Sequence, residues 1–223
     1  MGDVCLYPND MAIVISKEFQ HKGIGKKVIS RLIERGRALG YSILYVDEIY
    51  DFNEASRKLF TSLGFIPYKK TDIGHKYLLF LGEHATLGEK TKNDYYHRLG
   101  AYILPIENYK IACVKTPKGY FLLGGGKEDN ESDVETIKRE VLEEIGYDVE
   151  VGEYIGGGVE YYKSLTNGYI HPVQLYYSAT LGTKIQEPTE TDHKLVYLSK
   201  EDALAGLYVP IQRWIVEQTF KVK

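Results

Sequence analysis

The run of 23 residues from Gly125 to Tyr147, GGKEDNESDVETIKREVLEEIGY, constrains this chain more than any other. Ser132, followed three residues later by Glu135, forms a capping box that starts a helix, and Gly146 is the residue type that stops one. Within that helix Val134, Ile137, Val141 and Ile145 recur at three- and four-residue spacing and make an apolar face that has to be buried. Glu140, Glu143 and Glu144 stand at i, i+3 and i+4, so three carboxylates share one face. Like charges at this spacing destabilise an isolated helix, and a compensating role is expected: clustered hard oxygen ligands suit magnesium or manganese. A solvated acidic face is the alternative reading of a bare Glu-Glu pair. Glycines at 124–126, the spaced Glu131 and Arg139 argue against it here.

The rest of the chain has to build a core for that helix. At 223 residues there is length for one large domain or two small ones, and 43% hydrophobic with 26% charged residues is the balance of a folded globular protein. No run of 18 apolar residues and no secretory leader pattern occurs, so a cytoplasmic protein with no membrane contact is expected. Cys5 and Cys113 are far apart and flanked by apolar residues, which reads as two reduced thiols packed as small hydrophobes. Residues 1–90 hold 13 Lys/Arg against 11 Asp/Glu, which leaves 15 against 20 for residues 91–223. The acidic second half argues against specific nucleic-acid binding and suits a site that gathers divalent cations. The 20 tyrosines are scattered and read as half-buried strand residues.

Periodicity divides the chain in two. In the first part, 4–7 and 11–16 flank Pro8, Asn9 and Asp10 as a hairpin, a helix is expected over 24–39 and a buried strand over 42–46. A second helix runs from an N-cap at Asn53 to Leu63, and a strand covers 75–82. Residues 83–94 have little apolar content and no period, which reads as a linker. Beyond it, strands are expected near 100–105, 109–115 and 119–123, a helix at 133–145, strands near 149–163, 168–180 and 194–198, and a helix at 210–220. No internal repeat relates the halves.

Glycine, five residues, Glu131, seven residues, Arg139-Glu140, two residues, Glu143-Glu144, one residue and Gly146 resemble the Nudix box at every fixed polar and glycine position. The resemblance extends over roughly 95–220. It implies an α/β/α sandwich and a pyrophosphohydrolase dependent on Mg2+ or Mn2+, acting on a nucleoside diphosphate-linked compound. It also implies that Glu140, Glu143 and Glu144 ligate metal, with Glu140 a candidate general base and the Gly125 carbonyl a further ligand. Arg139 then holds a carboxylate, Glu131, and not the substrate. Similar enzymes recruit a base from a loop outside the box, and Glu190 in QEPTETDHK is the candidate, with Glu187 and His193 as rivals. Lone His171 and His193 read more readily as surface or structural residues. Two departures from the pattern, Leu123 where relatives carry a proline and Tyr147 where they carry an aliphatic residue, remove no ligand. Nucleoside triphosphates and dinucleoside polyphosphates both stay open as substrates; Tyr161 and Tyr162 are similar to residues that stack bases in hydrolases of the latter.

In the first part, Gln20-His21-Lys22-Gly23-Ile24-Gly25 opens a helix, and glycines there let backbone N–H groups approach a pyrophosphate. QHKGIG, SILYV and NEASRKLFTSLGF, in that order, resemble the acetyl-CoA-binding half of a GNAT acetyltransferase. That implies a partial GNAT-like mixed sheet with helices over 1–82 and a CoA or acetyl-CoA site using Gln20, Gly23, Gly25 and Asn53. The chain starts too late for the elements that shape an acceptor site, and Phe60 stands where such enzymes often place a tyrosine acid, so acetyl transfer is not expected. The fold class is thus α/β and α+β, with domains at 1–82 and 95–220. A bifunctional hydrolase and N-acetyltransferase, and a non-catalytic nucleotide- or CoA-sensing module, are the alternatives. The uncharged edge at VCLY invites pairing, which predicts a homodimer built through the first part.

Overall fold

The computed structural model describes residues 2–91, 94–166 and 168–221. The chain divides into two compact units, Met1–Glu83 and His84–Lys223. Among the described residues no helix is long and apolar enough to cross a membrane.

The first unit opens with a hairpin of β1 (Gly2–Tyr7) and β2 (Asp10–Ile15), closed by Pro8 and Asn9 with Tyr7 opposite Asp10. A short 3-10 turn (Lys17–Phe19) leads to α1 (Ile24–Ala38), then β3 (Ile43–Tyr50), α2 (Glu54–Ser62), β4 (Ile66–Lys70) and β5 (Gly74–Phe80). Strands β3, β5 and β4 form an antiparallel sheet in that order, and β1 pairs only with β2 among the described residues. Both helices end by the same device. Gly40 and Gly64 adopt positive φ, and the next residue donates its N–H back into the last turn, Tyr41 to Gly36 and Phe65 to Phe60. The accompanying contact of this motif is present as well, with the rings of Phe60 and Phe65 edge to face at 5.1 Å. These rings join Met11, Ile29, Leu44 and Val46 in an apolar core. Strand β4 was not expected, because IPYKK has two lysines and a proline; it is an edge strand, where both are tolerated.

The second unit runs β6 (His84–Gly88), β7 (Tyr96–Glu107), β8 (Lys110–Thr116), β9 (Gly119–Leu122), β10 (Gly124–Gly126), α3 (Asp133–Ile145), β11 (Tyr147–Ser164), β12 (Gly168–Lys184), β13 (Lys194–Leu198), α4 (Lys200–Gly206) and α5 (Pro210–Thr219). The mixed sheet has the order β13-β8-β7-β12-β11-β6, with β10 on β7 and β9 on β8. Side-chain alternation sends Ala101 and Ile103 of β7 to one face, where Ile137, Val141 and Ile145 of α3 cover them. It sends Tyr102 and Leu104 to the other, against Ile211, Ile215 and Val216 of α5. The sheet is thus sandwiched between helices, as the resemblance implies.

Three details differ from the sequence reading. The run 83–94 is not a featureless linker, since His84–Gly88 pair in parallel with β11. That pairing joins residues some seventy positions apart, and a five-residue edge strand carries no local signal for it. Val134, expected on the buried face of α3, is 42% exposed; it sits in the first turn, ahead of the cluster that begins at Ile137. The short α4, capped by Ser199 through Asp202, was not anticipated.

Candidate active site

Helix α3 carries its carboxylates as the capping box and Gly146 dictate, both caps being formed. Arg139 is surrounded by acid. Its Nε donates to Glu131 Oε1 at 2.7 Å and its Nη2 to Glu131 Oε2 at 2.9 Å, a bidentate pair. Nη1 donates to Glu140 Oε1 at 2.7 Å and lies 3.6 Å from Glu143 Oε2, while Nη2 also reaches the Gly126 carbonyl at 3.0 Å. The guanidinium holds the Glu131 carboxyl at about 2 and is itself held charged by it. Arg139 therefore braces the glycine loop and two of the box glutamates.

The glycines let carboxylate and backbone approach. A Cβ on Gly125 would lie 2.3 Å from Glu140 Oε2, so only glycine leaves room for that carboxylate. Gly124, at positive φ, donates its N–H to Glu144 Oε2 at 3.1 Å. Glu144 is 8% exposed, and burial pushes its carboxyl up to about 8, with the charges of Glu140, Glu190 and Glu143 adding to the rise. One arginine is shared among these carboxylates, and a cation would relieve the crowding that remains.

Residues 185–193 are anchored to the C-terminal end of α3. Ile185 and Gln186 donate to the Gly146 carbonyl, and Thr189 and Glu190 to that of Glu143. This brings Glu190 and His193 to the box: Nδ1 of His193 is 3.9 Å from Glu144 Oε1 and is buried without a hydrogen-bond partner. Glu190, Asp192 and His193 offer ligand atoms within 4.8 Å of one another, a group able to hold a metal ion. Glu187 is set apart, 87% exposed at its side chain and paired with Lys184.

Arg98, Tyr102 and Glu160 of the second unit were not singled out from the sequence, whereas Tyr162 and His171 were. Strand pairing places Arg98, Gly100 and Tyr102 of β7 beside β10, with Gly100 opposite Gly126. Tyr102 is pushed up to about 12 by burial, with the charges of Arg98, Glu140 and Glu144 acting on it, and its hydroxyl lies 3.0 Å from where a Cβ on Gly100 would stand. Tyr162 feels Glu160, Arg98 and Tyr208 in the same way. Glu160 is buried and accepts the Ile211 N–H at 3.2 Å, capping α5 where Val209 has no side chain to do so. His171 lies on the opposite face, stacked on Tyr161 with its Nδ1 3.0 Å from His97 Nδ1, which is a structural position.

In the first unit three of the four candidates, Gln20, Asn53 and Gly25, are engaged by neighbouring residues. Gln20 Nε2 donates to the Ile15 carbonyl at 2.8 Å, and Asn53 Oδ1 caps α2 by accepting from Ser56 N–H at 3.1 Å. Gly25 is covered by Leu59 and Ile15, whose methyls would lie 2.9 and 3.2 Å from a Cβ. Gly23 takes φ 72° at the start of α1 with open space around it. Phe60 is 3% exposed in the core. Of the thiols, Cys113 is buried and pushed up to about 12, and Cys5 is half-buried; both are free.

The comparisons with known proteins agree with this division. No curated protein matches the chain. Solved structures similar to this chain include a NUDIX hydrolase from Nitrosomonas europaea, 19% identical over 56% of this chain and 90% of that one, TM-score 0.47. A MutT protein from Methanosarcina mazei Go1 is 19% identical over 60% and 98%, TM-score 0.46. A MutT protein from Bacillus halodurans is 22% identical over 54% and 80%, TM-score 0.45. The family model described as Acetyltransferase (GNAT) family matches residues 4–65, and the NUDIX domain model matches residues 97–218. With the box glutamates, their glycine loop and a family match over more than half its length, the chain belongs to the NUDIX family and is a hydrolase.

Proposed function

We propose that the protein hydrolyses a nucleoside diphosphate-linked compound, a nucleoside triphosphate or dinucleoside polyphosphate, with Mg2+ or Mn2+ held by Glu140, Glu143, Glu144 and the Gly125 carbonyl. The observation that carries this is the close packing of the Glu140 and Glu144 carboxylates on the Gly124–Gly125 backbone. Hard oxygen donors from one helix and one loop fit such a cation, which when bound would neutralise charge on a pyrophosphate and orient water. Glu190 is proposed as the base, held beside Glu144 by its N–H to the Glu143 carbonyl. It takes a proton from the attacking water as the new P–O bond forms and the bridging P–O bond breaks, the bridging oxygen leaving with the second phosphate. Arg139 is proposed as a positioning residue that keeps Glu140 and Gly126 in place. Release of nucleoside monophosphate from a panel of nucleoside triphosphates and dinucleoside polyphosphates, with magnesium and with a chelator, tests the reading. Activity that survives the chelator would contradict it.

For the first unit we propose a scaffold that can hold coenzyme A at Gly23 without transferring its acetyl group. The support is that Phe60 is buried and has no acidic proton to give. Acetylation of a simple amine, lost in Gly23→Glu, would overturn this. We further propose a homodimer through the open edge of β1, where Val4 and Tyr7 are 42% and 62% exposed. Light scattering should give a dimer that Val4→Lys converts to monomer; a monomeric full chain would contradict it.

A further inference from the structure

Gly125 and Gly126 do not have positive φ, so the backbone conformation does not demand glycine at either. What each position lacks is room. At Gly125 the space is taken by the Glu140 carboxylate; at Gly126 a Cβ would lie 2.8 Å from both Nε and Nη2 of Arg98. The guanidinium of Arg98 is thus laid against the loop backbone, one residue from the carboxylate that Gly125 admits. An exposed arginine ordinarily extends into water and pairs weakly if at all. This one is folded back onto the loop, yet among the described residues it has no ion pair or hydrogen bond.

The neighbouring cations are already occupied. Arg139 is shared among Glu131, Glu140 and Glu143, and Lys127 is paired with Asp133. Among the described residues of this loop region, Arg98 is the cation whose donors no side chain or carbonyl takes up. By strand alternation Arg98 shares a face of the sheet with Gly100 and Tyr102, and its charge acts on the Tyr102 and Tyr162 hydroxyls. A planar fork of N–H donors beside a carboxylate cluster is complementary to an anion whose other oxygens face a cation, and a phosphate has that geometry.

We propose that Arg98 grips a phosphate of the pyrophosphate group, from the side away from α3, and that Gly126 is glycine to let it do so. This rests on the hydrolase reading above and assigns one residue to substrate binding. The same chemistry is offered by free pyrophosphate and by a nucleoside diphosphate, so both serve as probes.

Isothermal titration of the full chain with pyrophosphate and with adenosine diphosphate, each with magnesium present, tests it. Arg98→Ala should weaken both at least tenfold, Arg98→Lys should recover part of the loss, and Gly126→Ala should reproduce it by pushing the guanidinium off the loop. Affinity for magnesium alone should stay unchanged in Arg98→Ala, because Arg98 touches no proposed ligand. An effect on adenosine diphosphate only would assign Arg98 to the nucleoside and overturn the proposal. So would unchanged pyrophosphate affinity, no pyrophosphate binding by the wild type, or an equal loss of magnesium affinity. The hydrolase reading fails separately, if the wild type turns over no member of the substrate panel while pyrophosphate binding still depends on Arg98.

Discussion

The two units differ most in what they bury. The core of the first is built from Met11, Ile29, Leu44, Phe60, Phe65 and other apolar side chains, and its glycines at 23, 40 and 64 serve turns. Every buried polar or charged side chain among the described residues, namely Thr136, Glu144, Glu160, His171, Gln174 and Gln212, belongs to the second unit. Glycines there at 125 and 126 make space for a carboxylate and a guanidinium. Burying polar groups costs stability unless each is satisfied, so a fold that concentrates them has another reason to keep them. The first unit keeps its interior apolar. The second keeps, beside its core, a cluster of carboxylates gathered around one arginine and a glycine loop.

The sharpest way to break this contrast is to neutralise the charges. Glu140→Gln or Glu144→Gln should lower turnover by about a hundredfold or more, the size expected for loss of a metal ligand or base. Turnover equal to wild type in both would remove α3 from the reaction.

Glycine substitutions sharpen the comparison next. Gly125→Ala forces a methyl into the space of the Glu140 carboxylate and should cost roughly ten- to a hundredfold in turnover. Gly23→Ala meets no neighbour and should cost only about 1 kcal/mol, for a side chain in the left-handed region, with hydrolysis unaffected. Urea unfolding and turnover measured on both variants would separate the two kinds of glycine. Equal effects on turnover would erase the distinction.

Acid sensitivity should also be larger in the second unit, which holds the buried imidazole. His171 is fully buried, and burial, with His97 and Lys90 adding to it, pushes its imidazole down to about 3. The unfolded chain takes up a proton below about 6.5 that the folded chain refuses, so this contribution is intact above 6.5 and is lost as pH falls toward 3. It amounts to roughly 2 kcal/mol between pH 7 and 5. Glu144, raised to about 8, has the opposite sign: its contribution is present at low pH and lost as pH rises through 8. The difference between wild type and His171→Phe isolates the imidazole, and the variant's unfolding midpoint should fall less on acidification. A parallel decline of the two would show that His171 is not the group responsible.

What the sequence disclosed follows the same divide. Helix α3, its capping box and its three carboxylates are local patterns, and local spacing was enough to place them on one face. The Arg139–Glu131 pair lies within the same helix and the loop before it. By contrast, Arg98 meets Gly126 only because Gly100 pairs with Gly126 across two strands, a register that no spacing in the sequence encodes. Strand β6 was hidden because its partner is distant, and Asn53, legible as a cap, was also read as a cofactor ligand though its side chain is engaged by Ser56.

The account stands most directly on whether the carboxylate face of α3 holds a divalent cation. Titration of Mn2+ into the full chain, followed by electron paramagnetic resonance of the free ion, reads this without any assumption about substrate. Mn2+ should bind the wild type, and Glu140→Gln and Glu144→Gln should each weaken binding by about tenfold or more. Wild-type protein that leaves the free Mn2+ signal undiminished, or variants that bind as tightly as wild type, would contradict it.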